Sequence, residues 1–245
     1  MSQIYRYLLP AFCLLLCNAT AIADAPDADY IAGFHAEYEV RYGVLRADLT
    51  LDLKPGNEPQ EYYYEMITRT RGLAKLVRSG TGRESSTFTL TEHGIKPLRY
   101  LLDDGTEKVE NDTDIRFNWD DGIAHSLYKG EAKDIEIKPG ILDRLSADII
   151  VIKDLREGNT PGGYDITDRN SIRRYEFTAM GEATLEVPAG TFDTVKYLRQ
   201  RPGSSRGTLI WYATDKDYLP VRIEQQKHGK TTITMVATVL MPNEH

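Results

Sequence analysis

Apolar and polar residues alternate with a period of two along most of this chain, and that rhythm predicts strands. Phe34, Ala36, Tyr38, Val40 and Tyr42 fall in one phase, and His35, Glu37, Glu39 and Arg41 in the other. This is the pattern of a strand with one buried face. Ala47, Leu49, Leu51 and Leu53 alternate with Asp48, Thr50 and Asp52 in a second strand, and Tyr62, Tyr64 and Met66 oppose Tyr63 and Ile67 in a third. Further strands are predicted over 85–90, 98–103, 114–119 and 123–129, and through Ile135 and Ile137. The rhythm resumes over 164–167, 173–179, 184–187, 192–199, 208–213, 220–226 and 231–240. Short joints such as Pro55-Gly56-Asn57, Asp103-Asp104-Gly105, Asp120-Asp121-Gly122 and Lys227-His228-Gly229-Lys230 carry turn chemistry, which makes sequential strands antiparallel.

One segment changes period. Over Ile141–Arg156, Leu142, Leu145, Ile149 and Ile152 recur at helical spacing, with Asp143, Arg144, Lys153 and Asp154 on the other side. Ile150, Val151 and Leu155 widen the apolar face, so this helix is expected to be covered on more than one side. The predicted fold is mainly β: an antiparallel curled sheet or open β-barrel wrapped on one central α-helix. Two stacked β-modules joined through the helix form the alternative.

The amino end follows a different logic. Arg6 precedes an apolar run from Leu8 to Cys17, and Ala21-Ile22-Ala23 offers small residues at a cleavage position. This predicts a signal peptide over 1–23, cut after Ala23, and a single β-rich domain over 24–245 in the periplasm. Both cysteines, Cys13 and Cys17, lie in that leader, so no disulfide, thiol nucleophile or cysteine metal site is expected beyond it. The charge balance is acidic, with 37 Asp+Glu against 30 Lys+Arg. That excludes a general nucleic-acid binder and argues against broad adhesion to anionic lipid surfaces. No transmembrane segment is expected after the leader.

Three ordered motifs carry a family resemblance. Gly140-Ile141-Leu142-Asp143-Arg144-Leu145-Ser146, Glu186-Val187-Pro188-Ala189-Gly190-Thr191-Phe192, and Trp211-Tyr212-Ala213 followed by Leu219-Pro220-Val221-Arg222 resemble the signatures of a bacterial exported family, domain of unknown function 3108. The resemblance spans about 34–240. It implies an exported, β-rich envelope protein of Gram-negative type and brings no catalytic residues with it. The motif residues Asp143, Ser146, Pro188, Gly190, Trp211 and Pro220 also have local structural explanations. Asp143 and Ser146 can steady a helix start, Pro188 and Gly190 a turn, and Pro220 a strand start.

Candidate chemistry is sparse. The chain has no nucleophile elbow, phosphate loop or dinucleotide fingerprint. The histidines are scattered without metal spacing, and neither a metal nor another cofactor is expected. The acidic pairs Asp103/Asp104, Asp112/Asp114 and Asp120/Asp121 sit in or beside turns, where Asp is favoured for local hydrogen bonding. Two groups remain as binding candidates. Arg69, Arg71, Lys75, Arg78 and Arg83 form a basic stretch around the apolar Leu73, Leu76 and Val77, a candidate gate for an amphiphile with an anionic head. Tyr38, Tyr42, Tyr62 and Tyr64 are candidates for lining a cleft. The expected function is binding of an envelope component such as a lipid or amphiphile, without catalysis. The alternatives are an assembly factor that binds a protein partner, and a hydrolase of glycans or lipids working through carboxylates.

Overall fold

The computed structural model describes residues 31–72, 74, 80–106 and 112–242. The predicted leader, Lys75 and Arg78 lie outside the described residues. The strands are β1 (Phe34–Tyr42), β2 (Leu45–Pro55), β3 (Glu61–Arg71), β4 (Thr81–Thr91), β5 (Gly94–Asp103), β6 (Thr113–Asn118), β7 (Ile123–Tyr128) and β8 (Glu131–Glu136). Helix α1 (Ser146–Arg156) follows. Then come β9 (Gly163–Asp168), β10 (Ser171–Val187), β11 (Gly190–Gln200), β12 (Arg206–Ala213), β13 (Pro220–Lys227) and β14 (Lys230–Pro242). All fourteen form one antiparallel sheet in the order β8-β7-β6-β5-β4-β3-β2-β1-β14-β13-β12-β11-β10-β9. The pairing of β1 with β14 makes the two halves continuous, so the alternative of two stacked modules does not form.

The alternating residues face as the pattern predicts. Phe34, Ala36, Tyr38, Leu49, Leu51 and Leu53 are buried, while Asp48, Thr50 and Asp52 take the outer face. The sheet curls around α1, whose Ala147, Ile149 and Val151 are fully buried. Removal of Ile149 and Val151 from water contributes roughly 1.5–3 kcal/mol each.

The sheet remains open between β8 and β9. Leu142 runs parallel to β9 in that gap: its N–H donates to Asp165 O (3.0 Å) and its carbonyl accepts from Thr167 N–H (2.8 Å). The Ser126 hydroxyl lies within hydrogen-bond reach of Arg169 O (3.0 Å) and Asn170 Oδ1 (2.9 Å), so side chains span the gap where no ladder forms.

Two predicted boundaries change. The helix begins at Ser146 rather than Ile141, because 141–143 bridges to β9 and Asp143 takes the N–H groups of Leu145 and Ser146. The strands predicted over 173–179 and 184–187 are one long strand, β10. A bulge between Ala179 and Glu182 absorbs the phase change, and Gly181 sits there at φ +95°, a backbone angle that glycine adopts without strain.

Candidate functional site

Every neighbouring pair is antiparallel, so odd-numbered strands end and even-numbered strands begin at one end of the barrel. A cavity of about 670 Å³ opens there, between the first turns of α1 and the inner faces of β9–β14, with β1–β4 completing the wall. That volume falls within the range of small-molecule sites, roughly 300–1,000 Å³.

Its floor is apolar. Leu51, Leu145, Ile152, Ile166, Ile210 and Met235 line it, together with the ring of Tyr212. Burial pushes the Tyr64 and Tyr212 phenols well above the ordinary range, so both stay neutral. The upper wall is charged, with seven cations (Arg144, Arg169, Arg173, Arg199, Arg201, Arg206 and Lys227) against three carboxylates (Glu84, Asp148 and Asp168).

Each of those carboxylates already holds an arginine. Glu84 accepts from Tyr100 Oη (2.7 Å) and pairs with Arg144 (3.3 Å). The charge of Glu84 raises the Arg144 pKa further, fixing that guanidinium as a cation. Asp148 accepts from Arg199 Nη1 (2.6 Å), and Asp168 pairs with Arg173 (3.5 Å). Burial raises the Asp148 carboxyl above its ordinary pKa, with the Arg199 charge opposing. Arg169, Arg201, Arg206 and Lys227 form no ion pair among the described residues. Four cations therefore line the cavity without a carboxylate partner, Arg169 among them packing over the Tyr128 ring (5.0 Å).

The predicted site residues scatter. Of the tyrosines, Tyr64 is buried and Tyr42 is 57% exposed, and both line the cavity. Tyr38 donates to Pro220 O (2.7 Å), and Tyr62 stacks on Phe88 at 5.6 Å between centroids, so both belong to the core. In the predicted gate, Arg69 and Arg71 share a strand face with Glu65, opposite Tyr64 and Met66, and they point outward. Arg71 pairs with Asp48 and Arg83 with Glu65, so neighbouring strands neutralise both.

The motif residues hold structure together. Asp143 Oδ1 accepts from the N–H groups of Leu145 (2.8 Å) and Ser146 (2.9 Å), Oδ2 accepts from Ser86 Oγ (2.6 Å), and Asp143 N–H donates to Ser146 Oγ (2.9 Å). Pro188 and Gly190 lie in and beside the β10–β11 turn, with Gly190 at φ +140°. Trp211 sits between Lys196 (4.6 Å) and Arg222 (5.5 Å) on the outer face. The carboxylates of Asp103 and Asp112 accept backbone N–H groups of Gly105 and Asp104, a turn role.

The cavity arginines escape sequence reasoning, yet the pattern carries a signal for them. Arg199 and Arg201 continue the inward phase of Val195 and Tyr197, and Arg173 that of Tyr175 and Phe177. A cation in the apolar phase of a strand is costly unless it faces a partner or a wet cavity.

Comparison with known proteins adds a family and a fold. The family described as "protein of unknown function (DUF3108)" matches residues 37–236. No curated protein matches. A β-barrel-like protein of domain of unknown function DUF1849 from Brucella abortus is similar at 8% identity and a TM-score of 0.51, covering 87% of this chain and 99% of that one. A chain of the Pseudomonas aeruginosa MucA/MucB complex is similar at 9% identity and a TM-score of 0.38, covering 89% of this chain and 55% of that one. The first likeness bears on the fold alone.

Proposed function

We propose that this protein, which belongs to the DUF3108 family, binds an anionic amphiphile in the cavity beside α1, without catalysis. The observation that carries the reading is the cavity's two-part lining: an apolar floor below and four cations without carboxylate partners above. An acyl chain gains from burial against Leu51, Ile152, Ile166 and Ile210, at roughly 25 cal/mol per Å² before the costs of binding. A phosphate or carboxylate head then meets Arg169, Arg201, Arg206 and Lys227, where charge-assisted hydrogen bonds are strongest. The setting we infer is the periplasm, reached through the leader over 1–23, a reading that rests on the sequence.

The two alternatives have less support. A partner pairing with a sheet edge needs a free, uncharged edge. β8 carries Glu131, Lys133, Asp134 and Glu136, and the 141–143 segment covers β9. A carboxylate hydrolase draws on the raised pKa of Asp148, but Arg199 holds that carboxylate at 2.6 Å, which leaves it poorly placed to donate a proton.

The test is titration of the detergent-free protein with a fluorescent long-chain fatty acid and with the matching uncharged alcohol. Met66 lines the cavity and is half-buried. Met66→Trp is expected to fill the space and weaken both probes. Arg201→Glu combined with Arg206→Glu is expected to weaken the acid at least about tenfold and to spare the alcohol. Equal binding of the acid by wild type and both variants overturns the reading.

A further inference from the structure

The β1–β2 hairpin presents an apolar tip at the mouth of the cavity. Val44 is 85% exposed and Tyr42 is 57% exposed, among the most exposed large apolar residues described. The tip is braced. Gly43 turns the chain at φ +57°, and Arg46 Nη1 donates to both Gly43 O (3.0 Å) and Leu45 O (3.1 Å). A surface that ought to hide these side chains instead holds them out, flanked by Arg41 and Arg46.

Charge divides along the barrel axis. The cavity end carries Arg169, Arg201, Arg206, Lys227 and Lys230. The opposite turns carry Glu58, Glu92, Asp120, Asp121, Asp215 and Asp217 against Lys216, with Arg156 paired to Asp217. Of the acids at the strand ends and turns of the cavity end, Asp103, Asp104, Asp112 and Glu131 belong to the β5–β8 side, away from the cavity wall, and Asp168 is paired with Arg173. A net charge of −7 therefore conceals a basic rim. Screening over about 10 Å at 0.1 M salt lets the nearest surface, rather than the net charge, decide adhesion.

We infer that this rim docks end-on onto an anionic lipid surface, with Val44 and Tyr42 entering the headgroup layer so that the cavity opens onto the membrane. The inference rests on the amphiphile reading of the same cavity. Two side chains are too little for a protein interface, which needs about 1,000 Å². They suffice for a lipid surface when basic residues add about 1 kcal/mol each near it. Among the described residues no helix is long and apolar enough to cross a membrane.

Val44→Trp tests the contact directly, because Val44 lies outside the cavity lining. Its emission is expected to shift to the blue with phosphatidylglycerol vesicles, and not with phosphatidylcholine vesicles or in 0.5 M salt. Val44→Asp is expected to weaken flotation with phosphatidylglycerol vesicles about tenfold while leaving fatty-acid binding in solution unchanged, which also shows that the variant is folded. An unshifted emission, or flotation of Val44→Asp equal to wild type, overturns the docking. The two readings fail separately: loss of fatty-acid binding in solution condemns the cavity, and loss of the vesicle response alone condemns the docking.

Discussion

Asp143 shows how one buried residue sets a pH dependence. Its carboxyl is fully enclosed, and burial raises its pKa to about 6 against the hydrogen bonds from Ser86, Ser146 and Leu145 that favour the charged form. The folded pKa lies above the unfolded one, so the folded state holds the proton more tightly. The stability this contributes is complete below pH 4 and is lost as pH rises through 6. Denaturant titrations at pH 5 and 7.5 are expected to differ by on the order of 1–1.5 kcal/mol more in the wild type than in Asp143→Asn, with the lower pH the more stable. An equal pH response in both proteins contradicts this. Asp148, Asp154 and His35 are also raised and tilt the curve the same way, which is why the comparison between variants is the informative one. Thr113 makes the opposite case. Its Oγ1 is buried without a hydrogen-bond partner, so Thr113→Val removes a desolvated polar group at nearly constant shape. An increase of about 0.5–1 kcal/mol is expected, read as a rise of a few degrees in Tm.

At the level of elements, two features show where periodicity stops deciding. The helical spacing of Leu142 and Leu145 is continuous with that of Ile149 and Ile152. The helix nevertheless starts at Ser146, because Asp143 occupies the N–H groups of the first turn and Leu142 gains two backbone hydrogen bonds from β9. Pattern alone carries no information about that competing partner. The β10–β11 hairpin is tighter. Gly190 sits at φ +140°, and an added Cβ would stand 3.3 Å from Phe192 Cζ. Gly190→Ala is expected to cost about 1–3 kcal/mol by thermal denaturation, with strand content retained by circular dichroism. No change in Tm contradicts the strain.

At the level of the whole molecule, the decisive property is that charge is sorted by strand direction. Turns that alternate along the sequence collect at opposite ends once every pair is antiparallel. The arginines of the β9–β10 and β11–β12 turns then meet Lys227 from the end of β13 around a single opening. The same sorting turns the basic stretch at Arg69, Arg71 and Arg83 outward onto Asp48 and Glu65, although it is the densest cationic run in the sequence. Local density of charge says little about where the charge faces, since a shift of one residue reverses the face of a strand.

The sequence by itself determined the class of fold, because alternation, turn residues and the switch to helical spacing are local signals read within a few residues. It also determined the family, through three motifs whose residues hold turns and the helix start together. Only the tertiary structure decided the cavity. Its arginines come from strands and turns far apart in the chain, and its volume depends on how far the sheet curls around α1. Those are consequences of fourteen strands pairing into one sheet that curls around a helix, a long-range event that no short window of residues encodes.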